Sequence, residues 1–290
     1  PSFKQALAFA EIKVDQCIDE VDTLAHAILK YSKDQQYTFV SNWIFPPGHR
    51  GYGLLDWRPE FGLSSLLAKM NLRLSEQLSN SRSIFVLDAN RWTQSVPRVM
   101  TPKMWYAAKV PYASQVFEKV ALNLVSAIKA SCGKSRRLLI LDLDNTLWGG
   151  VVGETGWSGI RLGGHDHVGE AFRDFQYELK AMSNRGVQLV IVSKNDEHVA
   201  LEAIDKHPEM VLSRDDFAGW RINWNDKAQN IVSLSEELGL GLASAVFIDD
   251  NPAERERARG ALPDVLVPEW PLDPALYVSS LRALDCFDSV

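Results

Sequence analysis

Leu138-Leu139-Ile140-Leu141-Asp142-Leu143-Asp144-Asn145-Thr146-Leu147-Trp148-Gly149-Gly150 is the stretch whose reading decides the fold. Four apolar residues run into two aspartates separated by one leucine, after which the chain turns polar and small. A continuous apolar run with an abrupt polar end is the pattern of a strand buried on both faces, as in a parallel sheet. The carboxyl end of such a strand is where open α/β sheets place their ligands. Side chains alternate along a strand, so Asp142 and Asp144 are expected to point the same way at its tip. Two carboxylates held that close need a partner, and Mg²⁺ suits them through its preference for hard oxygen ligands and phosphate. A strand end followed by an ordinary Asp-Asn turn is the plainer alternative.

Outward from this stretch, 290 residues allow one large domain or two ordinary ones. With 46% hydrophobic and 23% charged residues the composition is that of a globular chain. A net charge of −6 leaves no electrostatic footprint for nucleic acid. Cys17, Cys132 and Cys286 are far apart, which argues against a disulfide framework or a zinc site and fits a reducing cytosol. No apolar run reaches the roughly 18 residues of a membrane span. The chain begins at Pro1 and passes at once into an amphipathic helical pattern rather than a signal peptide; a processed chain and a fragment both remain open.

Before the aspartate strand, the spacing predicts one long or two short helices over 3–31, a strand over 37–43 and a helix over 61–78. A strand over 84–87 and a helix over 112–129 follow. The polar, basic stretch 131–137 places a domain boundary between residues 1–135 and 136–290. After the strand comes a glycine-rich segment, 149–164, long enough to be a flap over a site. Helices are then expected over 168–185, 197–206 and 223–238, strands over 187–192, 245–248 and 265–267, and a terminal helix over 274–284. This alternation is α/β.

Three buried-looking strands of the second half therefore end in polar tips: Asp142 and Asp144, then Ser193-Lys194-Asn195, then Asp249-Asp250-Asn251. If they are parallel, all three tips share one sheet edge. Lys227 lies between the second and third, at the start of a predicted helix. Together they supply a nucleophilic oxygen, a proton donor, acids for a metal and donors for non-bridging oxygens, the needs of phosphoryl transfer.

Asp-Leu-Asp-Asn-Thr at 142–146 resembles the Asp-x-Asp-x-Thr signature of the haloacid dehalogenase (HAD) superfamily, with Ser193, Lys227 and Asp249-Asp250 matching its second, third and fourth motifs. The resemblance implies a Rossmann-like parallel sheet with a minimal cap, preceded by a smaller α/β domain. It implies that Asp142 attacks phosphorus and that Asp144 acts as acid and base. Mg²⁺ would be held by Asp142, the Asp144 carbonyl and Asp249, with Asp250 adjacent. Asn145, Thr146, Ser193, Lys194 and Lys227 would surround the phosphoryl group, and Trp148, Gly149 and Gly150 would begin a flap over the substrate.

A finer resemblance lies in Asp142–Glu154, Ser193–Asp196, Lys206–Leu212, Trp224–Ala228 and Ile248–Arg255, which are similar to the FkbH-like proteins of polyketide pathways. The first half, with Pro46-Pro47 and Met104-Trp105-Tyr106-Ala107-Ala108-Lys109, resembles the region that precedes the phosphatase domain there; in longer members that region completes an SGNH-hydrolase-like domain, of which this chain is expected to hold a part. This implies removal of phosphate from a glyceryl phosphate such as 1,3-bisphosphoglycerate while the glyceryl unit is loaded onto the phosphopantetheine arm of an acyl carrier protein. Many members carry a cysteine four residues before the first aspartate, where this chain has Leu138. A phosphatase for a small phosphorylated metabolite and a non-catalytic partner-binding protein are the competing classes.

Other residues have two readings each. His165-Asp166-His167 reads as a solvated loop before a helix rather than a metal site, since no third spaced ligand follows. Trp148 and Trp157 either roof a pocket or belong to the core. Glu254 to Arg259 alternates in sign and is expected to be an exposed helix face.

Overall fold

The computed structural model describes residues 2–10, 13–164 and 166–288. The chain forms two compact units, Pro1–Val125 and Ser126–Val290.

In the first unit, helices α1 (Ser2–Leu7), α2 (Val14–Tyr31) and α3 (Leu63–Leu78) surround a small core. The ambiguous amphipathic run is thus two helices. On α2 the stripe Cys17, Val21, Ala25 recurs every fourth residue and is buried, facing Leu63, Leu66, Met70 and Leu74 of α3. Each such leucine contributes roughly 1.5–3 kcal/mol by leaving water. Strands β1 (Thr38–Ser41) and β2 (Ile84–Leu87) pair in parallel. Two short helices, α4 (Ala89–Gln94) and α5 (Pro102–Ala108), have no counterpart in the sequence reading, being too short to show a period. Asp88 caps the first by accepting from Asn90 N–H, and Pro102 opens the second.

The division between units falls inside helix α6 (Ser114–Ser131), ten residues before the boundary read from composition. The reason is local. Ser126, on the last turns of this helix, donates its hydroxyl to the Asp285 carbonyl and to Asp288 Oδ2, so those turns belong with the second unit.

The second unit is a four-stranded, fully parallel sheet in the order β5 (Phe217–Ile222), β4 (Gln188–Ser193), β3 (Leu138–Leu141), β6 (Ala245–Ile248). The aspartate strand β3 is central and all four of its residues are buried. Its alternate residues serve two cores. Leu139 and Leu141 face Phe172, Phe175 and Leu179 of α8 (His167–Asn184), with Ala200 and Leu201 of α9 (Glu197–Lys206) and Tyr277 and Leu281 of α12 (Tyr277–Arg282) in the same core. Leu138 and Ile140 face Ala228, Ile231 and Leu234 of α10 (Lys227–Glu237), with Ala258 of α11 (Pro252–Ala261). Helices thus cover both faces, as a continuous apolar strand requires. The segment 149–164 holds only the four-residue helix α7 (Val152–Thr155), in keeping with a minimal cap.

Two strand assignments change. Edge strand β5 was not read from sequence, because its interior residues Gly219, Trp220 and Arg221 are only half-buried and break the apolar pattern. Residues 265–267 form no strand; Leu266 makes a single bridge to Val246 beyond the sheet edge. Among the described residues no helix is long and apolar enough to cross a membrane.

Candidate active site

Parallel pairing brings the tips of β3, β4 and β6 to one edge, and the turns beyond them decide where each side chain goes. Asp142 continues β3, donating its N–H to the Ile248 carbonyl at 3.0 Å. It thereby keeps the parity of Leu138 and Ile140 and turns to the α10 side. Lys227 is the first residue of α10, whose N-cap is Asp226, accepting from Gln229 N–H at 3.2 Å. Its ammonium reaches Asp142 Oδ1 at 3.0 Å and Asp249 Oδ2 at 2.6 Å. Asp249 leaves β6 fully buried, its other oxygen accepting from Asn251 N–H at 2.9 Å. Asn251 caps α11, and Pro252 occupies that helix's first turn.

Asp142, Asp249 and Asp250 each offer a carboxylate oxygen, and these lie within 4.8 Å of one another. Three hard oxygen donors so arranged can hold a divalent cation. The charge balance says the same. Burial, then the neighbouring Asp142 carboxylate, push the Asp249 carboxyl up to about 6, against the pull of Lys227. The same two causes raise Asp250. Burial works against the Lys227 ammonium, but Asp142 and Asp249 together hold its pKa above the usual lysine value. One ammonium serves three crowded carboxylates, and the remaining negative charge suits a cation.

Asp144 does not join this cluster. The chain bends at Leu143, and Thr146 N–H closes a turn on the Leu143 carbonyl at 3.1 Å, so the strand alternation expected to pair Asp142 with Asp144 stops there. The Asp144 carboxylate instead accepts from Trp148 Nε1 at 2.9 Å, Val152 N–H at 3.0 Å and Asn195 Nδ2 at 2.9 Å. Asn195 is buried and also donates to Ser193 Oγ at 3.3 Å, joining the first two strand tips. Asn145 takes the left-handed conformation at φ 54°, with its side-chain oxygen accepting from Gly150 N–H at 2.9 Å. Thr146 is fully buried, and its hydroxyl has no hydrogen-bond partner among the described residues. Lys194 turns aside to Glu254 at 2.6 Å.

The expected flap is built differently from the picture of a roof. Trp148 is fully buried in the core and Trp157 packs against it, so both fall on the core side of the two readings. Gly149 bridges Arg161, and a Cβ there would meet Phe172 Cε2 at 2.9 Å, which explains the glycine. Gly150 has φ 96°. Asp166 caps α8 and pairs with Arg161 at 2.8 Å, a structural use; His165 lies outside the described residues.

Two residues beyond the sequence reading support the site. Arg255, expected on an exposed face, is buried and donates to the carbonyls of Asp249 at 2.9 Å and Asp250 at 2.8 Å. The sign alternation of its neighbours hid it. Tyr277 donates its hydroxyl to the Asn145 carbonyl at 2.8 Å across 132 residues, a distance no local pattern spans. Burial, then Asp250, push its phenol up to about 12, so it remains a donor.

A parallel sheet with acids gathered at one edge and a buried lysine among them is the frame of a HAD-type phosphatase. A crystal structure of the N-terminal part of protein BF1531 from Bacteroides fragilis, containing a phosphatase domain and complexed with Mg, superimposes with a TM-score of 0.82 at 31% identity. The match covers 93% of this chain and 74% of that one. A haloacid dehalogenase-like family hydrolase from Xanthomonas campestris matches 52% of this chain and 96% of its own at 16% identity, with a TM-score of 0.36. No protein-family model and no curated protein matches the sequence. On the strength of the Bacteroides structure and the fold, the chain belongs to the HAD family of phosphatases.

Proposed function

We propose that the chain is a Mg²⁺-dependent phosphatase working through an aspartyl phosphate at Asp142. The observation that carries this reading is the meeting of buried Asp142 and Asp249 with half-buried Asp250 within 4.8 Å, with Lys227 bonded to the first two. The oxygen donors fit Mg²⁺, which Asp142, Asp249, Asp250 and the Asp144 carbonyl would hold, and the Mg-bound Bacteroides domain supports that choice. Bound there, the ion would neutralise charge on the phosphoryl group.

The chain's own residues account for the rest. The Asp142 carboxylate attacks phosphorus, and the bond from phosphorus to the leaving oxygen breaks. Asp144 hands its proton to that oxygen, then removes one from the water that attacks the aspartyl phosphate, releasing inorganic phosphate. Lys227, Ser193 and the unpartnered Thr146 hydroxyl take the non-bridging oxygens. Asn195, bonded to both Asp144 and Ser193, keeps the acid aligned with the phosphoryl pocket. Asn145 shapes the turn through Gly150 and Tyr277, whereas Lys194 is paired with Glu254 and would have to leave it to reach the phosphoryl group.

For the substrate we propose a glyceryl phosphate such as 1,3-bisphosphoglycerate, with an acyl carrier protein as acceptor, on the FkbH-like resemblance of residues 142–154 and 248–255. A cytoplasmic location goes with that reading. A second reading, a phosphatase for a small metabolite with no carrier, is favoured by Leu138. It is fully buried in β3 at the position where many FkbH-like proteins carry a cysteine, so acyl transfer through a thiol there is not open to this chain.

Phosphate release from a generic phosphate monoester, with and without Mg²⁺ and in Asp142→Asn, tests the chemistry. Loss of release in the variant is expected, and unchanged release would remove the reading. Mass analysis of carrier protein incubated with 1,3-bisphosphoglycerate divides the substrates. A glyceryl mass gain supports loading, and free phosphate with unmodified carrier supports the plain phosphatase.

A further inference from the structure

The first unit contains a cleft that this chemistry does not use. Strands β1 and β2 pair in parallel from Thr38–Ile84 to Ser41–Leu87, so the segments leaving them emerge at one edge. That is the edge at which open parallel sheets bind ligands. The tips are tied together there: Asn42 Nδ2 donates to Asp88 Oδ1 at 3.0 Å, and Ala89 N–H donates to Asn42 Oδ1 at 2.8 Å. Beyond them the chain encloses about 590 Å³, walled by Ile44, Phe45, Pro46 and Pro47 from one segment and Trp105 and Tyr106 from the other. This volume is within the roughly 300–1,000 Å³ of small-molecule sites.

The aromatic wall is left to water. Helix α5 buries none of its residues, and Trp105 and Tyr106 are 41% and 77% exposed. Large aromatic surface at a cleft is a cost to the free chain that a ligand would remove. The two segments that wall it carry cations. Between Asp88 and Glu118 the chain carries Arg91, Arg98, Lys103 and Lys109 and no carboxylate; residues 42–55 add His49 and Arg50, again with none. Lys109 Nζ lies over the rings of Trp105 and Tyr106, 5.5 Å and 5.8 Å from their centroids. The carboxylates that bound these stretches, Asp56 and Asp88, are tied up by Tyr52, Leu63 and Ser64 and by Asn42 and Asn90, so the charged side chains of the wall segments themselves are cations.

We propose that it binds an organic anion with an apolar or aromatic body. The body packs between Pro46-Pro47 and Trp105-Tyr106, and the anionic group faces Lys109, with Lys103 adjoining. A purely apolar ligand would leave the cations without purpose, and an inorganic anion would leave the wall uncovered.

The test is a fluorescence titration of the full chain with 8-anilinonaphthalene-1-sulfonate, which has both features, beside uncharged N-phenyl-1-naphthylamine. The sulfonate should saturate one site per chain and should not be displaced by inorganic phosphate with Mg²⁺. Tyr106→Ala should weaken both probes about tenfold. The double change Lys103→Gln, Lys109→Gln, at two exposed positions, should weaken the sulfonate about fivefold and leave the neutral probe unchanged. The proposal is overturned by unsaturable binding, by displacement with phosphate, by either variant binding the sulfonate as wild type does, or by equal loss of both probes in the lysine variant.

Discussion

Lys227 donates to Asp249 Oδ2 at 2.6 Å with both side chains almost fully buried. A buried pair of this kind is costly to break from one side, because the charge left behind has no water to turn to. Lys227→Met leaves Asp142 and Asp249 facing each other without a counter-charge. In the presence of a chelator it should lose roughly 3–5 kcal/mol in urea unfolding. Added Mg²⁺ should restore more stability to the variant than to the wild type. A variant as stable as wild type would mean the pair is not formed.

The raised Asp249 carboxyl gives a pH dependence with a definite sign. Its folded value, about 6, lies above the ordinary aspartate value of about 4, so between the two the folded metal-free protein holds a proton that the unfolded chain has released. The contribution to stability is fully present below about pH 4 and is lost as pH rises to about 6. Metal-free wild type should therefore lose stability relative to Asp249→Asn across that window in parallel thermal melts. Mg²⁺ binding should release protons when measured near pH 5–6 in buffers of different ionisation enthalpy.

Arg255 holds the loop that carries two of the acids, through the carbonyls of Asp249 and Asp250. Groups that orient ligands in this way typically change metal affinity about 10–100-fold when removed. Arg255→Met should weaken Mg²⁺ binding by that factor in calorimetric titration, while Arg257→Met, at an exposed position on the same helix, should not.

In the first unit, the buried Asp56 carboxylate accepts from Tyr52 N–H at 2.9 Å, Leu63 N–H at 3.1 Å, Ser64 N–H at 2.9 Å and the Ser64 hydroxyl. Burial opposes its charge, but these donors outweigh burial and lower its pKa. Asp56→Ala strips the partners from several backbone N–H groups and should cost roughly 2–4 kcal/mol. For wild type the stabilisation is present above about pH 4 and fades as pH falls through the folded value. Denaturant unfolding of both proteins at pH 7 and pH 3 reads this as a difference that narrows in acid.

The legible parts of the fold were those in which one physical rule acted alone. Strands β3 and β6, Leu138–Leu141 and Ala245–Ile248, are buried on both faces, and their apolar runs mark them to the residue. Helix α9, Glu197–Lys206, follows its Asp196 cap and ends before His207-Pro208. Strand β5 was hidden because an edge strand with Gly219 and Arg221 obeys no apolar rule. At the candidate site, Asp142, Ser193, Lys227 and Asp249 were readable from strand tips and a helix start. The place of Asp144 was not, because alternation fails where the chain bends at Leu143. Asn195 was legible at its strand tip but its bond to Asp144 across 51 residues was not, nor were the roles of Arg255 and Tyr277, which come from hydrogen bonds across 6 and 132 residues.

The most direct measurement is the site of phosphorylation. The protein is mixed with Mg²⁺ and radiolabelled acetyl phosphate, quenched in acid within milliseconds and digested. Label is expected on the peptide containing Asp142, and none when the metal is chelated or Asp142 is replaced by Asn. Label on another residue, or undiminished phosphate release by Asp142→Asn, would contradict the account.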